Sequence, residues 1–277
     1  MTHATAARSR RIGSAAWRIA LAVLPLGLGL TLATTLLPAA QDLSDPATLA
    51  IRILAGLVIS ALTIAVVALL VRYVDRKRLR DAGLTNIRTG WRLAIWGAVV
   101  WTVPAALTFG VLALVGAPLT VTVPLPDLAG TVVLLLLAVL LAEAIPEEAL
   151  FRGYITTVLG ALTRGWGVII VQAVLFTLFA GLLRQNWNPV DLSLFLAMGV
   201  GFGYLRMITG SVWMPIGFHA AFQTGSQLIL SHDAVDFAGD TGAAMLALGV
   251  IPFTVAAILV SSTGIPRIVN PGGRAPR

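Results

Sequence analysis

Long apolar segments separated by short polar connections dominate this chain. A helix that spans a bilayer needs about 20 mostly apolar residues. Eight segments reach or approach that length, namely residues 16–39, 49–71, 93–116, 129–160, 166–184, 190–207, 211–230 and 242–262. The pattern predicts an all-α, polytopic membrane helix bundle with about eight transmembrane helices. Because the connections are short, consecutive helices are expected to be antiparallel neighbours.

Composition supports a membrane protein over a soluble enzyme. Hydrophobic residues make up 58% of the 277 residues and charged residues only 11%, whereas soluble domains carry about 25% charge. The chain has no cysteine, which excludes disulfides, thiolate metal ligands and a cysteine nucleophile. We predict three parts: residues 1–128 with helices one to three, a core at 129–230, and 231–277 with the last helix and a basic tail.

The first apolar segment has two interpretations. Arg8, Arg10 and Arg11 precede it, as in a signal peptide, and Pro38-Ala39-Ala40 would be a poor cleavage site. Its apolar stretch is longer than the roughly 7–15 residues of a signal peptide core. We therefore interpret it as a retained membrane helix.

The net charge of +7 is distributed as the positive-inside rule requires, which argues for membrane orientation and against a nucleic-acid partner. With both termini cytoplasmic, 16 of the 19 basic residues lie inside: Arg8, Arg10, Arg11, Arg18, seven between Arg72 and Arg92, Arg164, Arg206, Arg267, Arg274 and Arg277. Outside fall Asp42, Asp45, Asp127, Asp191, Asp233, Asp236 and Asp240. We expect a multi-pass protein of the plasma membrane.

The basic loop, residues 72–92, has two interpretations of its own. It fits a topology determinant lying on the lipid headgroups, which we favour. It also fits a surface that binds anionic lipid or an acidic partner.

Four ionisable residues lie within the fourth apolar segment, where charge is costly and persists mainly where it is paired or functional. In a helix, Glu143 and Glu147 share one face, and Glu148 stands four residues before Arg152. We predict an ion pair between Glu148 and Arg152, which leaves Glu147 free to face a cavity as a general base. Pro146 should disturb the helix just before the pair. The alternative is a structural ion pair that only locks helix packing.

The hairpin between the fourth and fifth segments predicts which residues share a depth. It turns near residues 163–164, so Glu147 should lie level with Ala180. The residues around that position read Val174-Leu-Phe-Thr-Leu-Phe-Ala-Gly-Leu and include no ionisable side chain.

The seventh segment supplies a second candidate group. His219 and Gln223 stand one turn apart on one face of the predicted helix. A histidine on an apolar helix is often only a packing residue, but this one lies well inside the bilayer. The sixth segment carries Gly199, Gly201 and Gly203, which would permit close approach to the seventh.

These motifs resemble those of the CPBP family of intramembrane proteases, which includes the CAAX prenyl proteases. Glu147-Glu148-Ala-Leu-Phe-Arg152 matches the signature E-E-x-x-x-R, and His219 matches the histidine of a third motif, H-x-x-x-N or H-x-x-x-D. The resemblance covers roughly residues 129–230. It implies that Glu147 activates a water for peptide-bond hydrolysis, that Glu148 and His219 belong to the catalytic set, and that Arg152 and Gln223 support it.

Two positions depart from the family pattern. The second motif, F-x-x-x-H, ends here in Ala180, and the third ends in Gln223. The resemblance implies a divalent metal, with zinc as the expected ion, bound by His219 and Glu147. A catalytic zinc usually has three protein ligands, and His3 and His232 lie in a tail and an outer loop, so neither replaces the missing histidine.

Three functions follow from these residues. The first is an intramembrane metalloendopeptidase-like enzyme that cleaves a membrane-bound or lipidated peptide. The second is a catalytically impaired relative that acts as a membrane binding or regulatory protein. The third is a small-solute transporter, which also places charges and broken helices at the membrane midplane.

Overall fold

The computed structural model of the chain describes residues 3–36, 43–267 and 269. In this part of the chain the structure has eight long helices, a short 3₁₀-helix at Leu79–Ala82 and two short strands. The long helices and the strands are α1 His3–Leu36, α2 Pro46–Leu69 with its extension Leu70–Val74, α3 Ile87–Leu114, β1 Leu119–Val121, α4 Leu125–Leu159, α5 Trp166–Arg184, α6 Pro189–Thr209, α7 Trp213–Leu230, β2 Val235–Phe237 and α8 Thr241–Thr263.

Seven helical segments of the described chain are long and apolar enough to cross a membrane, so the protein is a multi-pass helical membrane protein. Six of them lie within α1, α2, α4, α5, α6 and α8, and the seventh, Leu79–Leu114, consists of the 3₁₀-helix, a short connection and α3. The eighth predicted span, residues 211–230, folds as α7 but is not among the seven, since His219, Gln223 and Gln227 make it less apolar. Residues 37–39 of the first predicted segment, the Pro38-Ala39-Ala40 site, Asp42, Arg274 and Arg277 lie outside the described residues.

The chain forms two compact units that alternate along the sequence. The first unit takes the residues up to Ala33 together with Val58–Asn86 and Pro146–Val212. The second unit takes the other described residues, including α3, α7, α8 and most of α4. The predicted division at residues 128 and 230 stays a prediction.

In the first unit, α5 and α6 pack closely through glycines of α6. A Cβ on Gly199 would lie 2.8 Å from the Cα of Ala173, so the backbones can approach only because no side chain intervenes. The amide of Gln172 donates to the carbonyl of Gly199 at 2.6 Å and fixes the contact. The expectation that these glycines serve the seventh helix is therefore wrong for Gly199 and for Gly203, which also faces Gln172 of α5.

In the second unit, α7 packs against α3 through glycines of both helices. A Cβ on Gly217 would overlap the carbonyl of Ala94, and one on Gly97 would overlap that of Met214. The strands β1 and β2 pair antiparallel, with Thr120 opposite Asp236, so the fold departs from all-α only in this small ribbon. The contact between α3 and α7 fixes the rotation of the helix that carries His219.

Candidate active site

The backbone of α4 is irregular where its charged residues stand. Leu140–Ala144 and Glu148–Ile155 are π-helical, and they flank a three-residue α-helical stretch, Ile145–Glu147. Pro146 lies in that stretch and has no N–H to donate. The predicted disturbance of the helix is thus present. Such π-helical turns occur frequently at functional sites.

The predicted ion pair between Glu148 and Arg152 is present in the first unit. Nη1 of Arg152 lies 3.1 Å from Oε1 of Glu148, and both side chains are 0% exposed. The guanidinium carbon stands 4.5 Å from the ring centre of Phe176 and 5.0 Å from that of Phe202. We call this group of four side chains the caged pair. Two aromatic faces stabilise the desolvated cation where water cannot reach it.

The caged pair also explains one part of the second motif. Phe176 is the phenylalanine of F-x-x-x-H, and its ring packs on both Arg152 and Phe151, the latter at 5.2 Å between centroids. This phenylalanine therefore has a structural partner that does not depend on the motif's last residue. The residue at that last position, Ala180, is buried and carries no polar group.

The hairpin register agrees with the one derived from the sequence. Phe151 on α4 contacts Phe176 on α5, and this pair is centred on the turn between residues 163 and 164, as the pair Glu147 and Ala180 is. Glu147 is partly exposed, whereas Glu148 beside it is fully buried. The two neighbouring carboxylates thus have different environments, as the sequence predicted.

The second unit holds His219 and Gln223 on α7. His219 is buried, with 1% of its surface exposed, and Gln223 follows it by one helical turn. Nε2 of Gln223 donates to Oε2 of Glu143 at 3.0 Å. Gln223 therefore has a specific partner on α4.

Two residues that the sequence analysis did not single out complete this contact. Nη2 of Arg52 lies 3.1 Å from Oε1 of Glu143, and Nε2 of Gln227 donates to the same oxygen at 3.0 Å. We call Arg52, Glu143, Gln223 and Gln227 the Glu143 cluster. A signal was available, because Arg52 is an arginine within an apolar segment and Gln227 repeats Gln223 one turn later.

The donor set does not fit a zinc site with three protein ligands. Among the residues that the structure describes, no group of three or more His, Cys, Asp or Glu side chains converges as a metal site would require. Ala180 offers no donor, and Gln223 is engaged with Glu143. We derive no reaction step through a metal.

Comparison with known families agrees with these motifs. Residues 129–225 match the family model described as type II CAAX prenyl endopeptidase Rce1-like. The match covers 97 of the 277 residues and includes both Glu147–Arg152 and His219–Gln223. No curated protein and no solved structure matches the chain. The match agrees with the resemblance inferred from the motifs: residues 129–225 of this membrane protein are similar to the type II CAAX prenyl endopeptidases.

Proposed function

We propose that the chain is an intramembrane endopeptidase that hydrolyses a peptide bond in a membrane-bound or lipidated peptide. The observation that carries the proposal is the family match over residues 129–225, which contains a glutamate with the accessibility that a general base needs. The lipid bilayer is the medium in which this chemistry would take place.

In this mechanism Glu147 is the general base. Its carboxylate takes a proton from a water, the water oxygen attacks the carbonyl carbon of the peptide, and the proton passes to the leaving amine. A carboxylate is suited to both transfers when it is partly withdrawn from bulk water. Support comes from the exposure of Glu147 beside the buried Glu148. In this proposal Glu148, bound to Arg152, holds the segment in place.

His219 would stabilise the charge that develops on the carbonyl oxygen. Donors aimed at such an oxygen contribute about 10²–10³ in rate. The close contact of α7 with α3 supports this role, since it fixes the rotation of the helix that carries the histidine.

The second candidate is a catalytically impaired relative that binds or regulates a membrane partner. The observation that favours it is Ala180, a buried methyl group at the position of the second-motif histidine. The endopeptidase and the impaired relative would have the same membrane topology. For both we propose cytoplasmic termini, a plasma-membrane location and a basic loop, residues 72–92, that lies on the headgroups.

The test compares the purified protein with two variants on a fluorogenic peptide substrate in detergent micelles. We expect Glu147→Gln to lower kcat by about 10²–10⁴, because it removes the general base. His219→Ala should lower it by about 10²–10³. Gln185→Ala, in an exposed turn after α5, is the control and should cleave at the wild-type rate.

Cleavage that persists in Glu147→Gln would reject the mechanism. If the wild type does not cleave but Ala180→His does, the protein is the catalytically impaired relative and the endopeptidase proposal is rejected. Ala180 is buried and much smaller than histidine. Thermal unfolding must therefore first show that the Ala180→His variant folds.

A further inference from the structure

We infer that Glu143 is a positioning residue for Gln223, and that Arg52 and Gln227 hold its carboxylate in place. The inference rests on the proposed function, in which α7 supplies His219 to the reaction. It assigns a role to three residues outside the E-E-x-x-x-R and H-x-x-x-N/D motifs, namely Glu143, Arg52 and Gln227.

The chemistry of the contact fixes the orientation of the Gln223 amide. A carboxylate only accepts hydrogen bonds, and in a glutamine side chain only the NH₂ group donates them. Nε2 of Gln223 must therefore be the atom that faces Oε2 of Glu143, as the 3.0 Å contact has it. The carbonyl oxygen of Gln223 is then turned away from Glu143. Without the carboxylate, either the NH₂ group or the carbonyl oxygen of Gln223 could face position 143.

Glu143 is itself held by two further groups. Its Oε1 accepts from Nη2 of Arg52 at 3.1 Å and from Nε2 of Gln227 at 3.0 Å. Nη1 of Arg52 donates to Oε1 of Gln227 at 3.2 Å, which closes a ring of three side chains. The same donor and acceptor argument fixes the amide of Gln227 as well. Mutually supporting hydrogen bonds of this kind hold a group more firmly than one contact would.

Segments of three helices, all within the second unit, contribute to this arrangement. Arg52 comes from α2, Glu143 from the π-helical stretch of α4, and both glutamines from α7. A Cβ on Gly56 of α2 would lie 2.7 Å from the backbone N of Ala142, so α2 lies directly against that stretch. The glycine lets Arg52, one turn earlier, reach Glu143.

The consequence concerns the face of α7 that carries His219. Gln223 follows His219 by four residues, so the two side chains share that face. Because Glu143 fixes the amide, the face offers a hydrogen-bond acceptor in one direction. Glu143 thereby acts on the reaction through Gln223 without touching the substrate.

The first experiment measures cleavage kinetics for Glu143→Gln, Gln223→Leu and the double variant. Glutamine at position 143 keeps the shape but no longer dictates which end of the Gln223 amide it meets. We expect each single change to lower kcat by about 10-fold or more, since displacing a group by about 1 Å can cost about 100-fold. KM should stay within about twofold. The double variant should be no slower than the slower single variant, because both act through one contact.

Gln227→Leu is the matched comparison. Gln227 lies on the same helix and donates to the same carboxylate, but it stands eight residues from His219, and Arg52 still holds the carboxylate without it. A merely structural cluster would make Gln223→Leu and Gln227→Leu equivalent in kcat and in melting temperature. Positioning predicts similar melting temperatures, with a smaller loss of kcat for Gln227→Leu than for Gln223→Leu, while Gln185→Ala, outside the cluster, should cleave at the wild-type rate. Equal losses of kcat for the two glutamine variants would overturn the inference.

The second experiment does not use activity. The chain has five glutamines, so selective ¹⁵N-glutamine labelling gives five side-chain NH₂ groups in an NMR spectrum of the micelle-bound protein. Gln223→Leu assigns the resonance of Gln223. We expect one of its protons to shift downfield and to exchange slowly with water, and both properties to be lost in Glu143→Gln.

The two experiments separate the inference from the function on which it rests. If wild-type protein does not cleave while the Gln223 resonance responds to Glu143→Gln, the protease proposal fails and the positioning contact stands. If cleavage depends on Glu147 but neither kcat nor the Gln223 resonance responds, the positioning inference is rejected and the protease proposal stands.

Discussion

Two ion pairs of this chain have the same length and opposite surroundings. In the caged pair, Arg152 and Glu148 are 3.1 Å apart and 0% exposed. In the Glu143 cluster, Arg52 and Glu143 are also 3.1 Å apart, but their side chains are 20% and 16% exposed. The first pair spans four residues of one helix and is covered by aromatic rings. The second joins two helices and is surrounded by amide groups.

The different exposure of the two ion pairs gives them different roles. A fully buried pair has no solvent to replace a lost partner, so each charge depends on the other. In the Glu143 cluster the amides of Gln223 and Gln227 share the charge, and the remaining exposure allows partial solvation. The caged pair is therefore suited to holding a segment in place. The cluster is suited to presenting a polar group in a fixed direction.

The largest expected effect comes from breaking the caged pair on one side. Arg152→Leu leaves the Glu148 carboxylate buried without its cation, and we expect a loss of about 3–5 kcal/mol in the free energy of unfolding. Thermal unfolding in detergent micelles and the folded fraction on size-exclusion chromatography measure it. The control is Glu148→Leu together with Arg152→Leu, which should recover most of the stability. Equal losses for the single and the double change would show that the ion pair is not the cause.

A smaller effect is expected in the Glu143 cluster. Glu143→Leu removes three hydrogen bonds but leaves Arg52 within reach of Gln227 and of solvent. We expect a loss of about 1–2 kcal/mol, less than a desolvated charge would cost. The same unfolding measurement, combined with Arg52→Leu in a double-mutant cycle, gives the coupling between the two. A loss as large as that of Arg152→Leu would mean that the two pairs do not differ.

The smallest effect concerns a third carboxylate, fully exposed and outside the spans. Asp45 precedes α2. Its carboxylate accepts a hydrogen bond from the backbone N–H of Ala47, which is the main cause that its pKa lies below the ordinary value of 3.8, and further bonds from the hydroxyl and N–H of Thr48. A depressed pKa adds stability above pH 3.8, and that stability is lost as the pH falls through the lower folded pKa. We expect the melting temperature of Asp45→Asn to lie slightly below that of the wild type at neutral pH. The difference should shrink as the pH falls below 3.8. A difference that grows on acidification would contradict this assignment.

The helices were predictable because they depend on local apolar length. Residues 166–184 were predicted as a helix and form α5 as Trp166–Arg184. The Glu148–Arg152 pair was predictable for a similar reason, since four-residue spacing on one helix places two side chains together.

Contacts between distant segments were not predictable in the same way. Glu143 was noted only for sharing a face with Glu147, and its partner Arg52 stands 91 residues away. Gly199 and Gly203 of α6 were assigned to the wrong neighbour, because a series of glycines shows that a helix can be approached closely but not by which helix. Gly97 and Gly217 also mark positions of close helix approach. The sequence does not show that the two helices concerned, α3 and α7, pack against each other.

The family segment, residues 129–225, would make a poor expression unit by itself. Gln227 lies two residues past its end, and Arg52 lies far before its start, so excision would leave Glu143 with one of its three donors. The ring partners of Arg152 would be retained, but Gly97 and Ala94, against which α7 packs, would not. The packing of α7 therefore depends on residues of α2 and α3, which are synthesised before it and lie outside the matched segment.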